Sequence, residues 1–88
     1  MKTINLKERK SDYSNRMFWV SKHKDFIIHL HKANEENTLP IWELLVSKKD
    51  GEDIDYLREH SLSKINKIVQ SKYNRTLRLV NLTKGDIQ

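Results

Sequence analysis

The chain has no cysteine, one proline and two glycines. Without cysteine there can be no disulfide, thiolate metal site or cysteine nucleophile. Two glycines, Gly51 and Gly85, are too few for a glycine-rich loop that cradles phosphate. No apolar run approaches the roughly 20 residues of a membrane-spanning helix, and the first residues are too polar for a signal peptide. A cytoplasmic protein with no membrane partner is therefore expected, within the host cell if the source is viral. Hydrophobic residues are also few, 36% against 33% charged. Two Trp, three Tyr and two Phe, with many Leu, Ile and Val, still favour a folded chain over a disordered one. Eighty-eight residues predict a single domain, 1–88. A chain of that length buries about 60–65% of its unfolded surface, which makes for a thin core.

Basic charge is plentiful and unevenly laid out. The net charge is +5. Residues 1–32 hold eight Lys/Arg and three acids, residues 33–60 three and eight, and residues 61–88 six and one. Such a basic–acidic–basic order lets the middle fold against the ends, or it makes a two-faced surface that attracts polyanions. Lys outnumbers Arg twelve to five and Ile and Asn are frequent, a bias that AT-rich bacterial or phage genomes impose.

Periodicity singles out residues 53–74. At about 100° per residue, Ile54, Leu57, Leu62, Ile65, Ile68, Val69 and Tyr73 share one arc, as in an amphipathic helix. Asp53 can cap it, with acids at its start and Lys72 and Arg75 at its end. A kink is expected near His60 and Ser61. The opposite ridge, His60, Lys64, Lys67, Ser71 and Asn74, contains no acid.

Elsewhere, residues 3–9 and 16–20 read as strands, joined through a loop signal at Lys10, Ser11 and Asp12. Residues 21–25 read as a hairpin loop. Residues 26–32 fit a strand with Phe26, Ile28 and Leu30 inward and Ile27, His29 and His31 outward. The helical alternative over 21–36 sets Lys22 and Lys24 at the start and Glu35 and Glu36 at the end, against the helix dipole, so the strand is preferred. Residues 33–37 then form a polar connection. Thr38, Leu39 and Pro40 resemble the start of a second helix, with Ile41, Leu44 and Leu45 inward and Trp42 and Val46 beside them. Lys49, Asp50 and Gly51 end it, Gly51 being able to take positive φ. Residues 76–82 read as the last strand and 83–88 as a polar tail. The fold expected is α+β: an antiparallel sheet of about four strands packed against one long amphipathic helix and one shorter apolar helix.

The histidines offer little specific chemistry. His29 and His31 would point the same way, with His23 across a loop, but no familiar metal pattern accompanies them. No metal and no cofactor are expected. The acids Asp50, Glu52, Asp53 and Asp55 lack the spacing of a calcium loop. A helix-turn-helix over 53–70 lacks the small residue and turn glycine that motif uses. Basic residues carry more: Lys64, Lys67, Arg75 and Arg78, with Lys7, Arg9 and Lys10, are the candidate nucleic-acid contacts. Arg16 stands near Phe18 and Trp19, and exposed aromatics can stack on unpaired bases. A Lys-rich helix face can equally be merely solvated. The leading expectation is a non-enzymatic, regulatory or accessory protein that binds RNA or DNA. The alternative is a protein-binding module, an inhibitor or antitoxin-like or phage-type accessory protein, docking through Trp42 and Val46, with a nucleic-acid enzyme as one such target. A homodimer is compatible with either, and a histidine-based ribonuclease comes third.

Overall fold

A computed structural model of the chain describes residues 2–10, 16–34 and 39–81. The expected loop at Ser11 and Asp12, most of the 33–37 connection, the Thr38 cap and the tail fall outside them. The elements are β1 (Lys2–Arg9), β2 (Arg16–Lys22), β3 (Phe26–Ala33), β4 (Ile41–Lys48), β5 (Asp53–Glu59), α1 (Leu62–Tyr73) and β6 (Arg75–Val80).

They form one curled six-stranded sheet in the order β5-β4-β3-β2-β1-β6. Neighbouring strands from β5 to β1 pair antiparallel, and β6 pairs parallel with β1. A parallel pair needs a crossover. Helix α1 supplies it, carrying the chain from the β5 edge to the opposite edge.

This corrects the expected four-stranded antiparallel sheet with two helices. The sheet is mixed and has six strands, and the described residues contain one helix. The stretch 53–74 is not one helix. Its first part is β5, and Ser61 occupies the N-cap position of a shorter helix with extended backbone, φ −134° and ψ 130°. The supposed helix around Trp42 is β4. It carries Ile41 and Leu45 on the outer face as well as Trp42, Leu44 and Val46 on the core side, so strand alternation is hidden.

Cross-strand register sorts the side chains into two faces. Glu8, Trp19, Leu30, Leu44 and Leu57 lie in one row across β1 to β5. The next row in that face includes Ile28 paired with Val46, and Leu6 paired with Leu79. Helix α1 lays Ile65 and Val69, one turn apart, on these residues. Leu6, Leu30 and Ile65 are fully buried. Each such side chain contributes about 1.5–3 kcal/mol by leaving water.

Two turns and one edge follow from particular residues. Gly51 takes φ 98° in the β4–β5 turn, where its N–H donates to the Lys48 carbonyl at 2.9 Å. Asn74 ends α1 in the left-handed region, φ 54° and ψ 43°, and donates its N–H to the Gln70 carbonyl at 3.0 Å. On edge strand β6, the Leu77 N–H donates to Asn66 Oδ1 at 2.9 Å, so the helix covers part of that edge. Among the described residues no helix is long and apolar enough to cross a membrane.

Candidate nucleic-acid interface

The face of the sheet turned away from α1 begins with β1. With Ile4 and Leu6 committed to the core side, alternation sends Asn5, Lys7 and Arg9 to the other. Register then extends this face as a row: Arg9, Phe18, His31, Glu43 and Arg58, one residue from each of five adjacent strands. A second row holds Val80, Lys7, Val20, His29, Leu45 and Tyr56. Arg78 pairs with Asn5 beside it. Arg16 pairs with Ala33 at the far end of the same face.

Rings and cations therefore interleave. Phe18 and His31 are stacked, with centroids 5.7 Å apart and planes within 16°. His29 lies 6.2 Å from His31 and is tilted by 39°. Glu43 is the acid within the central row, and it accepts a hydrogen bond from the Tyr56 hydroxyl. That bond holds the Tyr56 pKa above its ordinary value, because losing the proton would set two anions together. His31 presents part of its ring to solvent, yet its pKa is lowered. Desolvation is the largest cause and His29 the next, with Arg16 adding to it and Glu43 opposing. A depression of about 270 Å³ opens between His31, Glu43, Leu45, Tyr56 and Arg58. It offers ring faces, a carboxylate and a guanidinium within one concavity.

The expected contact residues divide into three groups. Lys7, Arg9 and Arg78 come together on this outer face, and Lys10 follows the end of β1. Lys64 and Lys67 are exposed on α1, on the other side of the sheet. The ridge assumed for them is shortened: His60 precedes the helix, with Nδ1 3.2 Å from the Pro40 carbonyl oxygen, and Asn74 is its cap. Arg75 starts β6 as the register partner of Lys2, with the core-side parity of Leu77. Trp42 and Val46, the expected protein contacts, also face the core side. Trp42 stacks on Trp19 at 5.7 Å with Lys32 Nζ 5.1 Å from its ring centroid, and Val46 packs against the core cluster.

No pattern in the sequence unites Phe18, His31, Tyr56 and Arg58 as one site. Strand alternation gives the outward direction of His29 and His31. Bringing Phe18 against His31, and Tyr56 and Arg58 beside Glu43, requires the register between strands. His23 is apart from the other two histidines: its Nε2 lies 3.1 Å from Ser21 Oγ and its ring stacks on Phe26. Among the described residues no three His, Asp or Glu side chains are grouped to hold a metal ion.

The chain matches no family model, and no curated protein or solved structure is detectably similar to it.

Proposed function

We propose that this chain is a small non-enzymatic protein that binds single-stranded nucleic acid across the outer face of its sheet, in an intracellular setting. One observation carries the reading: the cross-strand row Arg9, Phe18, His31, Glu43 and Arg58, in which a stacked aromatic pair has Arg9 on one side and Glu43, then Arg58, on the other. Ring faces suit unpaired bases because every base has a π-face, and the surrounding cations suit the phosphates that connect them. Lys7 and Arg78 extend the basic edge, and the depression beside Tyr56 and Arg58 would receive one base. A duplex hides its base faces, so single strands are the preferred ligand.

The test is a binding titration of one labelled oligonucleotide, single-stranded and then annealed to its complement, over a range of salt. With about four phosphates contacted, log K for the single strand should fall with log salt at a slope near −3. Phe18→Ala should weaken it by about 1–3 kcal/mol if a base stacks there. RNA and DNA versions of the oligonucleotide establish which sugar is preferred. No binding at low salt, or full binding by Phe18→Ala combined with Arg9→Gln, removes the outer face from consideration and brings the protein-partner reading forward.

A further inference from the structure

The described residues do not completely fill the core side of the sheet. Toward the C-terminal end of α1, a groove of about 250 Å³ remains between the helix and the sheet. Its walls are carbon: Phe26, Val46, Val69 and Leu77 line it, and Ile54 and Tyr73 also border it while 49% and 36% exposed. An apolar cavity of about 150 Å³ is already large enough to take up benzene. Among the described residues, the one charged side chain lining the groove is Arg75.

Arg75 is held there by its own neighbours. Its Nη1 donates to the carbonyl oxygens of Tyr73 and Asn74, at 3.5 and 3.1 Å. Its Nε and Nη2 have no protein acceptor among the described residues. Lys2, its register partner on β1, adds a second cation at this end of the sheet. The nearby carboxylate of Asp55 is occupied: it accepts from Lys72 Nζ at 2.7 Å and from the Tyr73 hydroxyl.

We infer that this groove is a binding site for a small monocarboxylate with an apolar tail, the tail lying between α1 and the sheet and the carboxylate meeting the Arg75 guanidinium. A guanidinium with two unused donors recognises a carboxylate by paired hydrogen bonds, which an alcohol cannot reproduce. The site lies on the opposite side of the sheet from the nucleic-acid face, so either can fail without the other.

The experiment is a titration of the full chain with octanoate, followed by the NMR signals of its Ile, Leu and Val methyl groups, with octanol and octylamine in parallel. Octanoate should shift Ile54, Val46, Val69 and Leu77 and leave Val20 and Leu45 on the outer face unmoved. Octanol should bind at least about tenfold more weakly, as expected for the loss of a charge-assisted hydrogen bond, and octylamine more weakly still. Arg75→Gln should erase the preference for octanoate over octanol. The wild-type comparison of the three headgroups decides the matter even if that variant does not fold. Equal binding of octanoate and octanol, shifts confined to the outer face, or no shift at all overturns the site.

Discussion

The two faces of this sheet are separated by one residue's step along each strand. On β3, Ile28 and Leu30 are buried against the helix side while His29 and His31 look the other way. On β2 the same step separates Trp19 from Phe18, and on β6 it separates Leu77 and Leu79 from Arg78. One face collects the core cluster under α1, and the other collects exposed cations together with Phe18, the two histidines and Tyr56, around Val20 and Leu45. A domain of 88 residues can build its main core on one face, which leaves the second face, where Val20 is buried, with fewer packing demands. Stability and binding should therefore be separable by substitutions at adjacent positions.

The sharpest use of that separation is the pair Leu30→Ala and His31→Ala. Leu30 is fully buried, and its truncation should cost about 2–5 kcal/mol in chemical denaturation, as should that of Ile65 on α1. That is a large share of the stability of so small a domain. His31→Ala loses its stack on Phe18 and should cost no more than about 1 kcal/mol. Equal destabilisation by the two would mean that the outer face is structural as well.

The same two faces explain what is legible in the sequence. In β3, Phe26, Ile28 and Leu30 alternate strictly with Ile27, His29 and His31, and the charges flanking that segment oppose a helix. Residues 3–9 of β1 and 76–80 of β6 alternate as well. In β4 the run Ile41 to Val46 has apolar groups on both faces, so a period of two does not emerge and Pro40 imitates a helix start. In β5 the core side carries Asp55, Leu57 and Glu59, of which only Leu57 packs against the core. An edge strand needs little apolar surface. A register shift opposite Val46 and Ser47 further disturbs its alternation. Ile54 and Leu57 happen to continue the helical phase of Leu62, Ile65 and Val69, so two elements resemble one. With β5 concealed in this way, Tyr56 and Arg58 do not stand out, and part of the candidate site's chemistry stays hidden with them.

Charge substitutions compare the outer face with the helix. Lys7→Gln with Arg78→Gln should lower the salt slope for a single strand by about 1.4, at roughly 0.7 for each phosphate no longer neutralised. Lys64→Gln with Lys67→Gln should leave it unchanged, because those side chains lie behind the sheet. The reverse result would return the interface to the helix. Melting should barely move in either pair, since exposed charges contribute little.

A smaller effect belongs to Asp55, a polar residue on the core side. Its carboxyl pKa is lowered, first by the hydrogen bond from Lys72 and then by that from Tyr73. A depressed carboxyl pKa stabilises the fold above its unfolded value of about 3.9, and that stabilisation is lost as pH falls through the folded value. Asp55→Asn should therefore melt below wild type at neutral pH, and the two curves should converge in acid. A gap that persists at low pH would assign the loss to packing instead of charge.

The subtlest comparison is carried by His31 alone, because its stability and binding effects should have opposite signs. In the unliganded protein its pKa is lowered, by desolvation first and by His29 second. The fold thus favours the neutral ring more than the unfolded chain does, and the associated stability falls as pH drops through about 6.5. A phosphate near the ring does the reverse, favouring the cation, so binding takes up a proton. Affinity for a single strand should rise between roughly pH 7.5 and 5.5, the window around an ordinary histidine pKa, while the melting temperature declines slightly. His31→Gln should flatten both trends. Affinity that is constant across this window, with melting that still declines, would mean that no phosphate comes near His31 and that the nucleic-acid path runs along the β1–β6 edge instead.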